Sequence, residues 1–393
     1  EYQDNKINKH SDEEVPSIAI IPFRNKGKEE DAFYAYGICA DLISDCSSAG
    51  LIRVASLKDV EKLDYNNLET AELSEKLLVR YIAQGTLWKM GDMFQLSVEL
   101  FDTKDKKVVW SDRWQENWDN LTIIKSNLSD GLLKALDTKP KVEKRVETTN
   151  TEAYEYYLKA NYKYKKRENM EDTEIARGLY NKAIELDDNL ISAKVSLGWT
   201  YSQTGDYDKA MDIFTPALKQ AEELEDKRGM GLCLNNIGTV YHNKDDYDKA
   251  LDYYDRSLKI DEKLGDKAGM GYSLSNIGIV HSEKGDCDKA LDYFNRSLAI
   301  SEELGDKRGM GRQGNIGNVH YVKGDYDKAL DYYARSLAIQ EELGDKYGMG
   351  NSLNNIGVVH SDKGDYDKAL DYYGRSLKID EELGNKSGMG SSL

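Results

Sequence analysis

The chain has 393 residues, 39% of them hydrophobic and 10% aromatic, a composition that suits a folded protein of two or three domains. A net charge of −17 and a pI near 4.9 argue against nucleic acid and anionic membrane surfaces as partners, because both reward clustered Lys and Arg. The charge favours a peptide or protein partner that is partly basic or amphipathic, and no apolar run reaches the ~18 residues of a membrane span.

The sequence starts at Glu1 with no signal-peptide apolar region, and so reads as a processed chain or a piece of a longer one. Residues 1–15 are polar and read as a linker. Ser17 to Phe23 is a short apolar run with β-branched residues, which predicts a buried strand. From Asp31 to Ser48 the residues Phe33, Ile38, Leu42, Ile43 and Cys46 recur at helical spacing, with Gly50 placed to close the helix. Leu51 to Ala55 reads as a second strand, and Leu57–Leu63 and Thr70–Leu78 as short helices.

Three strands are predicted next, over Val79–Lys89, Met93–Phe101 and Lys107–Gln115. In the middle one Phe94, Leu96, Val98 and Leu100 alternate with polar residues. Gly91-Asp92 and Asp102 to Asp105 supply the turns. A helix over Leu121–Leu136 follows and ends at Thr138-Lys139-Pro140. The order β-α-β-α-α-β-β-β-α predicts an α/β domain over residues 16–140, its sheet covered by helices.

In this stretch Ser17-Ile18-Ala19-Ile20-Ile21-Pro22-Phe23, Tyr36-Gly37-Ile38, Asp41-Leu42-Ile43, Tyr81 to Leu87 and Trp110-Ser111-Asp112-Arg113-Trp114 resemble the TolB-N-terminal-like domain. Glu152 to Lys159 resembles the usual lead from that domain into helical repeats. Ala83-Gln84-Gly85 departs from the Leu-Glu-Gly more common in that family. The resemblance implies a bacterial signalling protein with a membrane segment and a class III nucleotide cyclase or Ser/Thr kinase domain upstream. These residues contain no G-x-x-x-x-G-K-[ST], H-R-D or D-F-G motif. No catalytic residue and no cofactor is therefore assigned to the chain itself.

The remainder is repetitive. Ala210, Ala250, Ala290, Ala329 and Ala369 mark steps of 40, 40, 39 and 40 residues, and Ala176 precedes them by 34. Leu197-Gly198-x-x-Tyr201 followed by Ala210-x-x-x-Phe214 resembles the signature of the tetratricopeptide repeat, a helix–turn–helix unit. The reading is a divergent first repeat over 151–190, then five repeats of about 40 residues over 191–393. The array is cut at the start of another, Gly388 to Leu393. The fold class is thus an α/β N-terminal domain followed by an all-α solenoid.

The extra residues of the longer unit fall in words such as Leu264 to Gly271. Gly265 suits the left-handed end of one helix and Asp266 the cap of the next, so the first helix of each unit lengthens. This form resembles the repeats of Pins-type polarity adaptors and kinesin light chain, and the resemblance implies a groove that holds extended peptides. The Gly-Met-Gly triplets lack the Lys-Ser/Thr of a phosphate loop, and close helix approach is their preferred reading.

Four cysteines are scattered, and Cys39 and Cys46, on one helix, stand ~10 Å apart at ~1.5 Å per residue, beyond disulfide reach. Cys39, Cys46 and Cys287, which stands in a tyrosine column, are read as free thiols packed as small hydrophobes. His281, His320 and His360 replace Tyr201 and Tyr241 and read as packing residues rather than metal ligands, since copies on neighbouring helices stand ~8–10 Å apart. Asp246 and Asp248 lack the rest of a calcium loop and read as helix caps. Arg256, Arg296, Arg335 and Arg375 each follow an aspartate by four residues and read as a solvated face.

The candidate partner-binding residues are amides and their neighbours. Asn236, Asn276, Asn315 and Asn355 precede an Ile-Gly pair on the concave helix, where an amide can donate to and accept from a peptide backbone. The competing reading is bonding between neighbouring repeats. Asn235, Asn354, Thr239 and Asn318 flank this column and would set specificity. The unit holding Met310 to Asn315 is one residue short and lacks the leucine found at Leu234, Leu274 and Leu353, which predicts an irregularity near Gly311 to Gly314. The sequence points to a non-enzymatic scaffold that grips a peptide or protein, or to the regulatory arm of a cyclase or kinase.

Overall fold

A computed structural model describes residues 15–49, 52–138 and 148–384. The expectations that rest on residues 1–14, Gly50, Leu51, Lys139-Pro140 and Gly388 to Leu393 lie outside the described residues. The first part is a sheet with helices on both faces. Its elements are β1 (Ser17–Ile20), β2 (Arg24–Asn25), α1 (Ala32–Ser48), β3 (Arg53–Val54), α2 (Leu57–Glu61), α3 (Thr70–Leu77), β4 (Tyr81–Met90), β5 (Met93–Asp102), β6 (Lys107–Asn117) and α4 (Leu121–Ala135). Among its strands only β2, a two-residue strand beside β4, was not foreseen.

The strand order is β3-β1-β4-β5-β6, with β1 parallel to both neighbours and β4 to β6 an antiparallel meander. Strand β1 is buried on both faces, which is why its sequence is a continuous apolar run. Ile18 and Ile20 face the core under α1 and α4, while Ala19 and Ile21 face a smaller core with Leu73 and Leu77 of α3. The alternation in β5 buries Phe94, Leu96, Val98 and Leu100.

Helix pairs follow: α5 (Thr151–Lys165) with α6 (Met170–Leu186), α7 (Ile191–Gln203) with α8 (Tyr207–Glu223), and α9 (Lys227–Asn243) with α10 (Tyr247–Leu264). Beyond them α11 (Lys267–Glu283) pairs with α12 (Cys287–Leu304) and α16 (Lys346–Asp362) with α17 (Tyr366–Leu383). Between these two pairs the first helix is split, α13 (Lys307–Gly311) and α14 (Gly314–Val322) both packing on α15 (Tyr326–Leu343).

The boundary chemistry is the expected one. Gly265 ends α10 at φ 71°, and Asp266 caps α11 by accepting from the Gly269 N–H at 2.9 Å. Each Ile-Gly pair lets the second helix approach: a Cβ on Gly278 would stand 2.7 Å from the Phe294 ring. The first Gly of the later triplets, Gly269, Gly309 and Gly348, makes room for Asp261, Ser301 and Gln340 of the preceding helix, and the carbonyl of the second Gly of each triplet accepts from a serine. Ser257, Ser297, Ser336 and Ser376 bond in this way to Gly231, Gly271, Gly311 and Gly350, at 2.6–3.0 Å.

Histidines do the work of tyrosine. His281, His320 and His360 stack on Tyr293, Tyr332 and Tyr372 with ring centroids 5.5–5.6 Å apart, as Tyr241 stacks on Tyr253. Arg256, Arg296, Arg335 and Arg375 cover the outer face of the same tyrosines at 5.1–5.3 Å. Asp246 is a cap, but Asp248 instead pairs with Lys284 of the next repeat at 2.6 Å, one of a ladder that includes Lys244–Asp208, Lys323–Asp288 and Lys363–Asp327. Cys39, Cys46 and Cys233 are buried thiols, while Cys287 is only half-buried.

The short unit is broken where the deletion falls. A turn at Arg312-Gln313 separates α13 from α14, and Gln313 takes the place of the missing leucine. Its side chain is buried, and Oε1 finds no hydrogen-bond partner among the described residues. A buried polar atom left unpaired costs about 1–3 kcal/mol. Amides of Gly311 to Gly314 should therefore exchange hydrogen faster than those of Gly271 to Asn276, measured by mass spectrometry on the intact chain; equal protection would refute this.

Candidate functional site

The α/β domain and the helical array are not separate bodies. Tyr154 and Leu158 of α5 belong to the same core as Ile38 and Leu42 of α1. Gly37 is where α1 meets α5, since a Cβ there would stand 2.7 Å from Leu158. From this anchor α1 runs across the first helices of later repeats, reaching α9 and α11. The α/β domain therefore lies over the side of the array that these first helices line.

Two arginines hold the domain there. Arg228, next to the cap of α9, donates to Asp45 of α1 at 3.0 Å and to the Ser44 hydroxyl. Two repeats further on, Arg308 of α13 forks onto Asp59 of α2, with Nη2 at 2.8 Å and Nε at 3.2 Å from the carboxylate oxygens. Burial works to raise the Asp59 carboxyl, but hydrogen bonds from Arg308 and Ser56 outweigh it and hold it below the usual carboxylate range. Asp45 is also paired with Lys125 of α4 at 3.0 Å.

Between domain and array lies a cavity of about 440 Å³. Ile43, Ser44 and Ser47 line one side; Leu232, Asn235, Asn236, Ser257, Asp261 and Tyr272 line the other. Leu232 and Tyr272 are 42% and 52% exposed, large for apolar and aromatic side chains, and the Arg312 guanidinium covers the Tyr272 ring at 4.6 Å. Asp261 is buried beneath them, against Gly269, and accepts from Ser273 at 3.3 Å. Burial, then the neighbouring Asp266 charge, pushes its carboxyl up to about 7.

Of the amides singled out in the sequence, Asn235 and Asn236 line this cavity. Asn236 donates to the Leu232 carbonyl of its own helix at 2.8 Å. Asn276 reaches Asn235 of the previous repeat at 3.5 Å, and Asn355 reaches Asn318 at 3.2 Å. Asn318 also accepts from Tyr333 at 2.8 Å. Thr239 donates to the Asn235 carbonyl, and Asn315 sits just after the broken turn. The Asn354 Oδ1 is buried with no hydrogen-bond partner among the described residues. The column thus carries cross-repeat bonds at two steps and faces the cavity at its N-terminal end.

Arg228 and Arg308 escaped the sequence reading, although a signal was present. In the repeated word Asp-Lys-x-Gly-Met-Gly the position x holds Arg228, Ala268, Arg308 and Tyr347, the variable letter in an otherwise constant phrase.

Comparison with known proteins supports the helical reading. Residues 231–303 and 313–382 match one tetratricopeptide repeat family, and residues 193–228 match a second. The helical array is a tetratricopeptide-repeat solenoid. Residues 13–130 match the second domain of HilA/YgeH-like transcriptional regulators, so the TolB-N-terminal-like resemblance is not the one this match names. A protein of Rhizobium meliloti (strain 1021) named "Putative adenylate cyclase 3" is 23% identical over 188 residues, which is 46% of this chain and 32% of that protein. The chain therefore spans about a third of the length of that relative. Among solved structures, BtubC (BKLC) from P. vanneervenii is 20% identical, covering 59% of this chain and 92% of its own, at a TM-score of 0.47. Nearly identical TPR-like repeats named for a "putative kinesin light chain" of Podospora anserina are 14% identical, covering 50% and 97%, at a TM-score of 0.43. Tetratricopeptide repeats imply a protein-interaction scaffold.

Proposed function

We propose that the concave groove of the solenoid binds an extended segment of a protein partner, with the wall of α9 and α11 as its first contact. The observation that carries this is Leu232 and Tyr272, exposed on the same helix faces as Asn235, Asn236 and Asn276, above a cavity large enough for side chains. An apolar strip beside amides suits a peptide, whose side chains bury against the strip while its backbone bonds to the amides. The boundaries we assign are 16–140 for the α/β domain, 151–190 for the divergent repeat and 191–393 for the five longer ones.

The test is capture of a partner by the full chain and by its Asn236→Ala, Asn276→Ala double variant, with helicity checked by circular dichroism. Loss of capture at unchanged helicity is expected, roughly tenfold for two hydrogen bonds of about 0.5–1.5 kcal/mol each. Unchanged capture would leave the amides a purely cross-repeat role.

A second reading, the regulatory arm of a nucleotide cyclase, is favoured by the name of the Rhizobium relative and by the TolB-N-terminal-like words in residues 17–114. Sequencing the gene on both sides of this segment separates the two, since a cyclase domain in the same frame would make the groove its input.

A further inference from the structure

The groove already has an occupant, and that occupant is part of the chain. Asp45 and Asp59 sit on α1 and α2 of the α/β domain, yet their partners Arg228 and Arg308 belong to repeats 183 and 249 residues away. Both arginines lie at the variable position of the repeated word, at the start of a first helix, where the α/β domain meets the concave wall. The cavity beneath is lined by Asp261, Asp266 and Asp306, but burial favours the neutral forms of the first two, and Asp306 is engaged as the cap of the helix that carries Arg308. At the mouth of the groove the cations are therefore the groups that select. We propose that the α/β domain is a tethered competitor for the groove, latched by Arg228–Asp45 and Arg308–Asp59, and that the partner displacing it presents carboxylates to these two arginines. This rests on the groove reading above and names both the chemistry of the partner and the regulation of its access.

The chain's net charge of −17 argues for a basic partner overall, but contact is decided locally: charges separated by more than about 8–10 Å of salt solution are screened, and pairs within 4 Å are not. Arg308 meets its carboxylate through two nitrogens, a geometry specific to planar oxyanions. Opening does not require the α/β domain to leave the first repeat, to which α5 binds it. Each repeat contacts chiefly its neighbours, so small rotations at successive interfaces add up and can swing Arg228 and Arg308 away from the anchored domain.

The experiment uses the full chain in three forms: unchanged, Asp45→Asn with Asp59→Asn, and Arg228→Gln with Arg308→Gln. Either double variant breaks both latches, so the distance between fluorophores on the α/β domain and on α16 should lengthen equally in both. The probes are a fluorescein-labelled peptide of repeating Asp-Gly-Ser-Gly and its Lys-Gly-Ser-Gly counterpart. The aspartate variant, with its arginines freed, should bind the acidic peptide at least about tenfold more tightly than the unchanged chain, as close charge pairs at interfaces do. The arginine variant should gain nothing. Equal affinity of the two variants for the acidic peptide, preference for the lysine peptide, or an unchanged distance would each overturn the proposal while leaving the groove reading intact. If the distance lengthens, neither peptide binds either variant, and Asn236→Ala with Asn276→Ala leaves capture unchanged, the proposal and the groove reading fall together.

Discussion

Leu158→Ala should destabilise the α/β domain and the first repeat together, by about 2–5 kcal/mol, the range for truncating a fully buried leucine. Leu158 is fully buried and sits on α5, yet the side chains around it come from α1 and the α/β core. Urea unfolding followed by tryptophan fluorescence reads the α/β domain through Trp88, Trp110, Trp114 and Trp118, with Trp199 in the second repeat as the fifth of the chain's tryptophans. Far-ultraviolet circular dichroism reads the helices. Both traces should shift to lower urea in their first transition. A shift confined to the helical signal would mean that α5 is packed on the domain without being part of its core.

Asp261→Asn should stabilise the chain at pH 8 and do little near pH 4. The sign follows from proton counts. An aspartate in the unfolded chain releases its proton near pH 3.9, whereas in the native state burial and Asp266 hold it to about 7. Between these values the native state binds more protons than the unfolded state, so the contribution of Asp261 is complete at low pH and is lost as the pH rises through about 7. Asparagine keeps an oxygen for Ser273 and cannot ionise. At about 1.36 kcal/mol per pKa unit the gain at pH 8 is about 2–4 kcal/mol. Urea midpoints of both forms at the two pH values check this, and an equal gain at both would refute it.

The parts of this structure that repeat were legible because repetition makes physics visible. Gly265 and Asp266 recur, so a helix end and a helix start could be assigned from chemistry alone. The missing residue near Gly311 was readable as a break because sound copies, with Leu234, Leu274 and Leu353 in place, stood beside it. Strand β5 was legible from its alternation, and β1 from its unbroken apolar run. The lone pair Arg24–Asn25 has no such pattern and was missed.

The cover over the groove was illegible for a different reason. Arg308 and Asp59 are joined only by the fold, and a single long-range ion pair leaves no period in either segment. The asparagine column illustrates the limit from the other side. Its recurrence was plain, but whether Asn276 turns to a ligand or to Asn235 depends on how neighbouring helices are rotated, a matter of a fraction of a turn. Asp248 likewise looked local, as the second acid of a capping word, and bonds instead to Lys284 of the next repeat.

The broken unit has a mechanical meaning. From α5 to Arg308 the solenoid is braced along its inner side by a second structure, like a beam with a strut. Arg308 is a fixed point near the far end of that strut, and the split helix follows within five residues, at Arg312-Gln313. A load applied to the far repeats therefore has its fulcrum where the array is already discontinuous. Pulled between α1 and α17 in an optical trap, the chain should yield first at α13–α14, with the braced repeats and the free pair α16–α17 each holding as a block.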